Sequence, residues 1–500
     1  MSTFSSHEDD HLTETGLHRS PREKMLAQAP IGKLIWKLSF PAMAAMFVNG
    51  LYNLVDTIYI GHGVGPLGIG ALSVSFPVQM IIIGIGAMLG IGTASVISRS
   101  LGAQDYDRAS QAFGNNLSAI VLLSILFVVM GIGLLDYVLI AFGATEEILP
   151  YAREYMFIIL LGSPLILGTI SMNHVIRSEG AAKTAMWSMV IGALANIILD
   201  PIFIFGLGLG IRGAALATIT ARVFSAAWIV FYFRSGRSSV PFTPKGMKPK
   251  ADVLWEIVMI GFPSLLRLAS SSIIFGMVNR LAALYGGNIA VAVFGVNNRV
   301  IIFSAMPAIG IAQGMQPIVG YNYGAGKHHR ALETIKISQI MALALCSAVT
   351  LILLLFAEPV LKIFSNDPEL IETGPKAMRL MVAAFFLAGF NKVGGAVFQA
   401  LGKAGPAFVA NVARPVLFFI PLLLTLPKLW KIDGVWLSFA GADILSFLLI
   451  AALLIPQVKH LRSQTPDNVK TSNDQKKSPD NAVTSNAVTS NDRKENPDYS

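Results

Sequence analysis

Acidic side chains inside apolar runs are the first candidates for chemistry in this sequence. Asp56 shares its run with Asn49, Tyr52 and Asn53, and the spacings put all four on one helical face. Asp200 follows Asn196 by four residues, again one face, and Thr218 lies one turn from Arg222. An ionisable group at membrane depth costs about 2.5–3.5 kcal/mol on insertion scales, so each is a functional candidate by default. Two carboxyls ringed by amide and hydroxyl oxygens can load and release a proton near neutral pH. The same oxygens of Asp56, Asp200, Asn196 and Thr218 can instead hold a desolvated Na⁺. A purely structural alternative has Asp200 capping the bend before Pro201 or pairing with Arg222.

Basic residues pose the opposite problem further along. Arg267, Arg299, Lys392 and Arg414 fall near the middle of apolar runs with Asp443 as the only acid in their midst. Four cations and one anion cannot all be internal ion pairs, so some line water, bind helix carbonyls or meet an anion. Interhelical packing with snorkelling heads is the competing account. Gln313, Gln316, Asn322, Asn391 and Gln399 add polar atoms that individually read as packing. Asn53, Asn173 on another run, and the four basic residues are candidates to line a substrate cavity, Asn173 being a weaker one. No HExxH, GxSxG or carboxylate-rich metal motif appears, so an enzyme is not expected, nor is a bound metal or cofactor other than the coupling ion. The one cysteine, Cys346, lies in an apolar run and reads as a small hydrophobe.

The elements that carry these residues must be membrane helices. Of 500 residues, 54% are hydrophobic and 13% charged, where a soluble domain carries about 25% charged. Mean hydropathy is +0.62. Such a chain cannot cover itself with polar surface, which excludes a soluble enzyme, and a nucleic-acid binder despite the basic pI. A span needs about 20 apolar residues. Twelve runs qualify: 36–60, 72–97, 113–134, 152–176, 185–206, 213–233, 254–280, 290–318, 334–357, 377–400, 406–426 and 435–455. They are too long and continuous for barrel strands. Lys and Arg crowd the loops on the N-terminal side, among them Arg19, Arg22, Lys24, Arg108, Lys248 and Arg330. The other side holds fewer, together with acids such as Asp136, Glu146 and Glu369. Both termini are therefore expected in the cytoplasm.

Sliding the sequence on itself gives a match at an offset of 222. Pro41 falls on Pro263, and SRSLGAQDYDRA falls on GYNYGAGKHHRA, aligning Gly102 with Gly324 and Arg108 with Arg330. Gly180 falls on Gly402. Six spans per copy make this a parallel repeat, the usual ground plan of an alternating-access transporter. The expected organisation is a cytoplasmic tail 1–32, an N-lobe 33–233, a basic cytoplasmic linker 234–250, a C-lobe 251–457 and a disordered tail 458–500. The fold class is all-α and polytopic, twelve transmembrane helices in two pseudo-symmetric six-helix bundles. At this offset Val278 stands opposite Asp56 and Leu422 opposite Asp200, so the acid pair has no C-lobe copy.

LSFPAMAAMFVNGLYNLVDTIYIGHGVG, ISRSLGAQDYDRA, NIILDPIFIFGLGLGIRGAALAT and MPAIGIAQGMQPIVGYNYGAGKHHRA together resemble the multidrug and toxic compound extrusion (MATE) family, most of all its DinF-like branch. The likeness spans about residues 33–457. It implies two bundles around a V-shaped cavity and antiport of drugs against H⁺ or Na⁺. It also implies that Asp56 and Asp200 couple the ion with Tyr52, Asn196 and Thr218, and that Asn173 contributes. The glutamate that other branches carry on the seventh helix is Ser271 here. The expected protein is a multi-pass monomer in the cytoplasmic membrane of a prokaryote, exchanging a small molecule for H⁺ or Na⁺. The runner-up reading is a lipid-linked saccharide flippase with a basic cavity. A passive channel fits the duplication poorly.

Overall fold

The structure, a computed structural model, describes residues 20–241, 244–364 and 367–464. The tail expected to be disordered lies mostly outside them, as does most of the N-terminal tail. Among the described residues every regular element is a helix, as lipid requires when each backbone N–H must find its partner within its own segment.

The first half begins with α1 (Pro21–Gln28), a short helix that the polar composition of this stretch does not advertise. Its start is a capping box. Ser20 accepts from the Glu23 amide, Glu23 reaches back to the Ser20 amide, and Pro21 occupies the first turn. The spans follow as α2 (Ile31–Gly63), α3 (Pro66–Gly102) and α4 (Tyr106–Gly133), then the short α5 (Leu135–Ala141). The fourth span is bent by 55° at Gly162 into α6 (Leu149–Leu161) and α7 (Ser163–Ser178). The fifth is α8 (Ala182–Pro201) continued by a π-helical stretch, Ile202–Gly206, and the sixth is α9 (Gly210–Arg234).

The second half repeats the count with different breaks. Two spans run together as α10 (Ala251–Gly324), separated at Gly287, whose φ of 68° only glycine adopts without strain. α11 (His328–Leu355) and the short α12 (Ala357–Lys362) follow. The tenth span is α13 (Pro368–Val382) bent by 43° into α14 (Ala388–Ala400). The eleventh is α15 (Ala404–Val412) with a π-helical stretch, Ala413–Phe419. It runs into α16 (Ile420–Ser463), which breaks at Trp430 and Lys431 before the last span. Split at these breaks, the helices give the twelve expected spans.

Both described ends of the chain lie at one end of the bundle. Asn322, Lys327 and Arg330 all donate to α1 or to the carbonyls just after it. His328, which follows α10, is electrostatically coupled to His460 near the end of α16. The inter-lobe connection is pinned along α4. Asn115 donates to the Gly246 carbonyl and accepts from the Lys250 amide, and Ser118 donates to the Met247 carbonyl.

Candidate functional site

In the first half, α2 and α8 pack together and bring Asp56 and Asp200 into direct interaction, although they are 144 residues apart in sequence. Asp200 is completely buried and its Oδ1 accepts from Asn196 Nδ2 at 2.9 Å. Asp56 Oδ1 and Asp200 Oδ2 are both buried without a hydrogen-bond partner among the described residues. Two facing acids with spare oxygens, enclosed by helices, suit a proton or a small cation. The donor chemistry of carboxyl plus amide oxygen fits a hard ion. Arg222 does not neutralise Asp200; its guanidinium donates to the Tyr52 hydroxyl at 3.4 Å. Nor does Asp200 cap a helix end, since its bonded oxygen goes to Asn196. Thr218 is half-buried on α9, which packs on α8. Asn53 is exposed and donates to the Asn49 carbonyl.

Two residues near the pair carry no sequence signal. Tyr155 on α6 is buried and close enough to Gln79, Asp56, Asp200 and Tyr52 to interact with them. A tyrosine in YAREYMF and a glutamine in FPVQM look like ordinary interfacial and packing residues until four helices are assembled. Asn173, expected in a cavity, is instead buried and ties α7 to α8 through Ser188 at 2.6 Å.

The second half concentrates cations. Arg414, inside the π-helical stretch, is ion-paired with Asp443, which is 2% exposed and whose carbonyl accepts from Asn391. Lys392 on α14 lies within the fields of Arg267, Arg414 and Asp443. Arg267 and Lys392 are half-buried and have no ion-pair partner among the described residues. Arg299 does not join them: it is exposed on α10. Among the described residues no three His, Cys, Asp or Glu side chains converge as a metal site.

At the end that carries the termini the two halves meet backbone to backbone. A Cβ on Gly102 would overlap the Tyr321 carbonyl, and one on Gly324 would overlap the Arg99 carbonyl. These are the same contact made twice, since Gly102 and Gly324, like Arg99 and Tyr321, are 222 residues apart. Ion pairs reinforce the seam, with Arg99 at 2.8 Å and Arg108 at 2.6 Å from Glu256. Arg330, the repeat partner of Arg108, donates to the Ala29 carbonyl at 2.7 Å, so each half clamps the start of the other's first span. Gln313 and Gln399 turn out to bridge the halves here, while Gln316 donates to Gln399 within the second half. Arg177 donates to Gln313, the Ser95 hydroxyl to the Gln399 carbonyl, and Gln399 to Ser264 at 3.0 Å.

Beside the seam, Glu179 is buried in the turn between α7 and α8. It accepts from Tyr232, Ser238 and the Ser239 amide at 2.9 Å each, with the Arg22 guanidinium 4.0 Å away. Burial pushes its carboxyl up to about 7, against the opposing pull of those donors.

Known proteins share this architecture. The chain is 27% identical over 84% of its length to the multidrug export protein MepA of Staphylococcus haemolyticus, covering 93% of that relative. The structure superposes on a MATE multidrug transporter, DinF-BH, with TM-score 0.82 and 39% identity, over 88% of this chain and 98% of that one. A MOP superfamily transporter from Pyrococcus furiosus, whose binding pocket has been described as reversed in polarity, gives TM-score 0.84 at 27% identity. That match covers 89% of this chain and 100% of the other. The MatE family model matches twice, at residues 41–202 and 263–424. Both matched segments begin and end 222 residues apart, the spacing of the internal repeat, and together they cover more than half of the sequence. The chain belongs to the MatE family of multi-pass membrane transporters.

Proposed function

We propose that the protein is a secondary antiporter that exports small organic compounds, drugs among them, in exchange for H⁺ or Na⁺. The observation that carries this is the pair of facing carboxyls, Asp56 and Asp200, each with a buried oxygen left without a partner. Uncompensated charge at this depth persists only where it is used. Ionised acids at such range repel, so the pair favours a proton or a cation between them. Binding there changes how α2 packs against α8, and α2 also packs on α10 of the other half. A cation bound in one lobe thus bears on the seam between lobes. The basic loops put the terminus-bearing end in the cytoplasm, so the closed seam is a cytoplasmic gate. Cargo enters from the cytoplasm when Arg99, Arg108 and Glu256 part, and leaves outward when they meet. The cargo breadth follows the relatives, which are named multidrug exporters.

The test uses proteoliposomes of the full chain with a pH-sensitive dye inside and a panel of cationic and anionic compounds outside, with and without Na⁺. Wild type is expected to move protons when substrate is added, and Asp56→Asn and Asp200→Asn to abolish that response. A Na⁺-evoked response lost in the same variants assigns sodium as the coupling ion. Export that survives both substitutions overturns the coupling reading. Movement of a labelled lipid-linked saccharide, with no response to any soluble compound, replaces it by the flippase.

A further inference from the structure

The C-terminal half holds more positive charge than the coupling reading uses. Arg267, Lys392 and Arg414 come from α10, α14 and the π-helical stretch, three elements far apart in sequence, and converge around Lys392. The only acid among them, Asp443, is sealed at 2% exposure and committed to Arg414. Two cations are therefore left over. At a rise of about 1.5 Å per residue, Lys392 lies roughly 12 Å from the end of α14 and Arg414 roughly 15 Å from the start of α15. That is near the middle of a hydrocarbon core of about 30 Å. Lysine on a helix of such depth cannot snorkel to a headgroup, and among the described residues no carboxylate forms an ion pair with it. Both Arg267 and Lys392 are half-buried and not sealed into the core.

We propose that Arg267 and Lys392 form a recognition site for the anionic group, carboxylate or phosphate, of an exported soluble compound. Arg414 is held back by Asp443 and shapes the field without bearing the ligand. This rests on the export reading above and names its cargo class. Arg267 supplies a planar fork for two oxygens and Lys392 a point charge. A cationic compound meets two unneutralised positive charges there, and so binds poorly in this half.

Two xanthene dyes of the same ring and opposite charge test this, carboxyfluorescein and rhodamine 123. Anisotropy titrations use the purified full chain in phosphatidylcholine nanodiscs. Carboxyfluorescein is expected to bind, at least tenfold more weakly after Arg267→Gln or Lys392→Gln, and within a few-fold of wild type after Arg267→Lys. Melting curves confirm that each variant is folded. Carboxyfluorescein binding that is absent, or indifferent to both glutamine substitutions, overturns the proposal. Displacement of the dye in phosphatidylglycerol nanodiscs overturns it too, by assigning the site to a lipid phosphate. Proton movement in liposomes separates the two readings. Proton-coupled export of carboxyfluorescein that ignores Arg267→Gln and Lys392→Gln sinks the anion site alone. Dye binding lost in those variants, with no proton movement in wild type, sinks the coupling pair alone.

Discussion

In the first half the fifth span loses its regular hydrogen bonding just after Asp200 and Pro201; in the second half it does so at Arg414 and Pro415. Both halves thus place a charge and a proline at a π-helical irregularity, a feature often found at functional positions. What surrounds the charge differs. Asp200 faces a second acid and keeps an unpartnered oxygen, whereas Arg414 is neutralised by Asp443 and leaves its surplus to Arg267 and Lys392. At the 222-residue offset Arg414 falls on Gly192 and Asp200 on Leu422, so the two irregularities are not copies of one position, and the charges they carry are opposite. The two proposals made above amount to a division of labour, a cation in one lobe and an anion in the other.

The sharpest way to break this comparison is to make the same substitution on both sides. Asp200→Asn removes one of two repelling acids and retains a side-chain amide for Asn196, so the protein should melt no lower than wild type. Asp443→Asn strands Arg414 beside Arg267 and Lys392. Removing one partner of a buried pair costs about 3–5 kcal/mol, and Arg414 is a third exposed, so about 2–4 is expected. Thermal unfolding of the two purified variants reads the difference directly. Equal destabilisation would mean that the acids play the same structural part and that the contrast between lobes is superficial.

A second test concerns Glu179, which belongs to neither charged site but holds α1 and the linker to the first lobe. Its folded carboxyl sits at about 7 against an ordinary 4.5. Between those values the folded state holds more protons than the unfolded state, so this residue's contribution to stability is full at acid pH and is lost as pH rises through 7. The groups facing it are Arg22, Tyr232, Ser238 and the Ser239 amide. The loss is at most about 3.5 kcal/mol at about 1.4 per unit. Melting temperatures of wild type and Glu179→Gln from pH 5 to 8 should converge at one end and separate at the other. Parallel curves would show that the site does not titrate in this range.

How much of this was readable in the sequence depends on whether a residue's environment is local. Asp56, Asp200 and the basic residues announce themselves because a charge in an apolar run has no local excuse. The twelve spans and the 222-residue offset are one-dimensional patterns and survive intact. Glu179 does not announce itself. RSEGAAK reads as a solvated turn, and its burial is created by Ser238 and Ser239, about sixty residues later. Tyr155 and Gln79 likewise become neighbours of the acid pair only when α2, α3, α6 and α8 pack. Arg299 fails the other way: mid-run position suggests depth, but the helix face it occupies, which sequence alone leaves open, exposes it. The capping box at Ser20 and Glu23 was legible in principle, yet a helix of eight residues with no apolar periodicity has little else to mark it.

The smallest effect concerns a place where the halves are alike down to the backbone contact. Gly102 and Gly324 make reciprocal contacts across the seam, each backing onto a carbonyl of the other half with no room for a Cβ. Alanine at either position adds the same methyl to the same kind of gap, so the two substitutions should act equally, in contrast to the acids. Overpacking of this kind costs about 1–3 kcal/mol. If that strain is relieved by parting the lobes, it favours the open cytoplasmic gate by roughly 5- to 150-fold. Ser98 lies in the seam at 2% exposure, and the native Cys346 is buried, so a Ser98→Cys reporter in a Cys346→Ala background can be followed by maleimide labelling. Gly102→Ala and Gly324→Ala should accelerate labelling by similar factors. Acceleration by only one of them would show that the seam is not symmetric in energy despite its geometry. No acceleration by either would show that the halves part elsewhere, and that the contact through Gly102 and Gly324 is a fixed hinge instead of a gate.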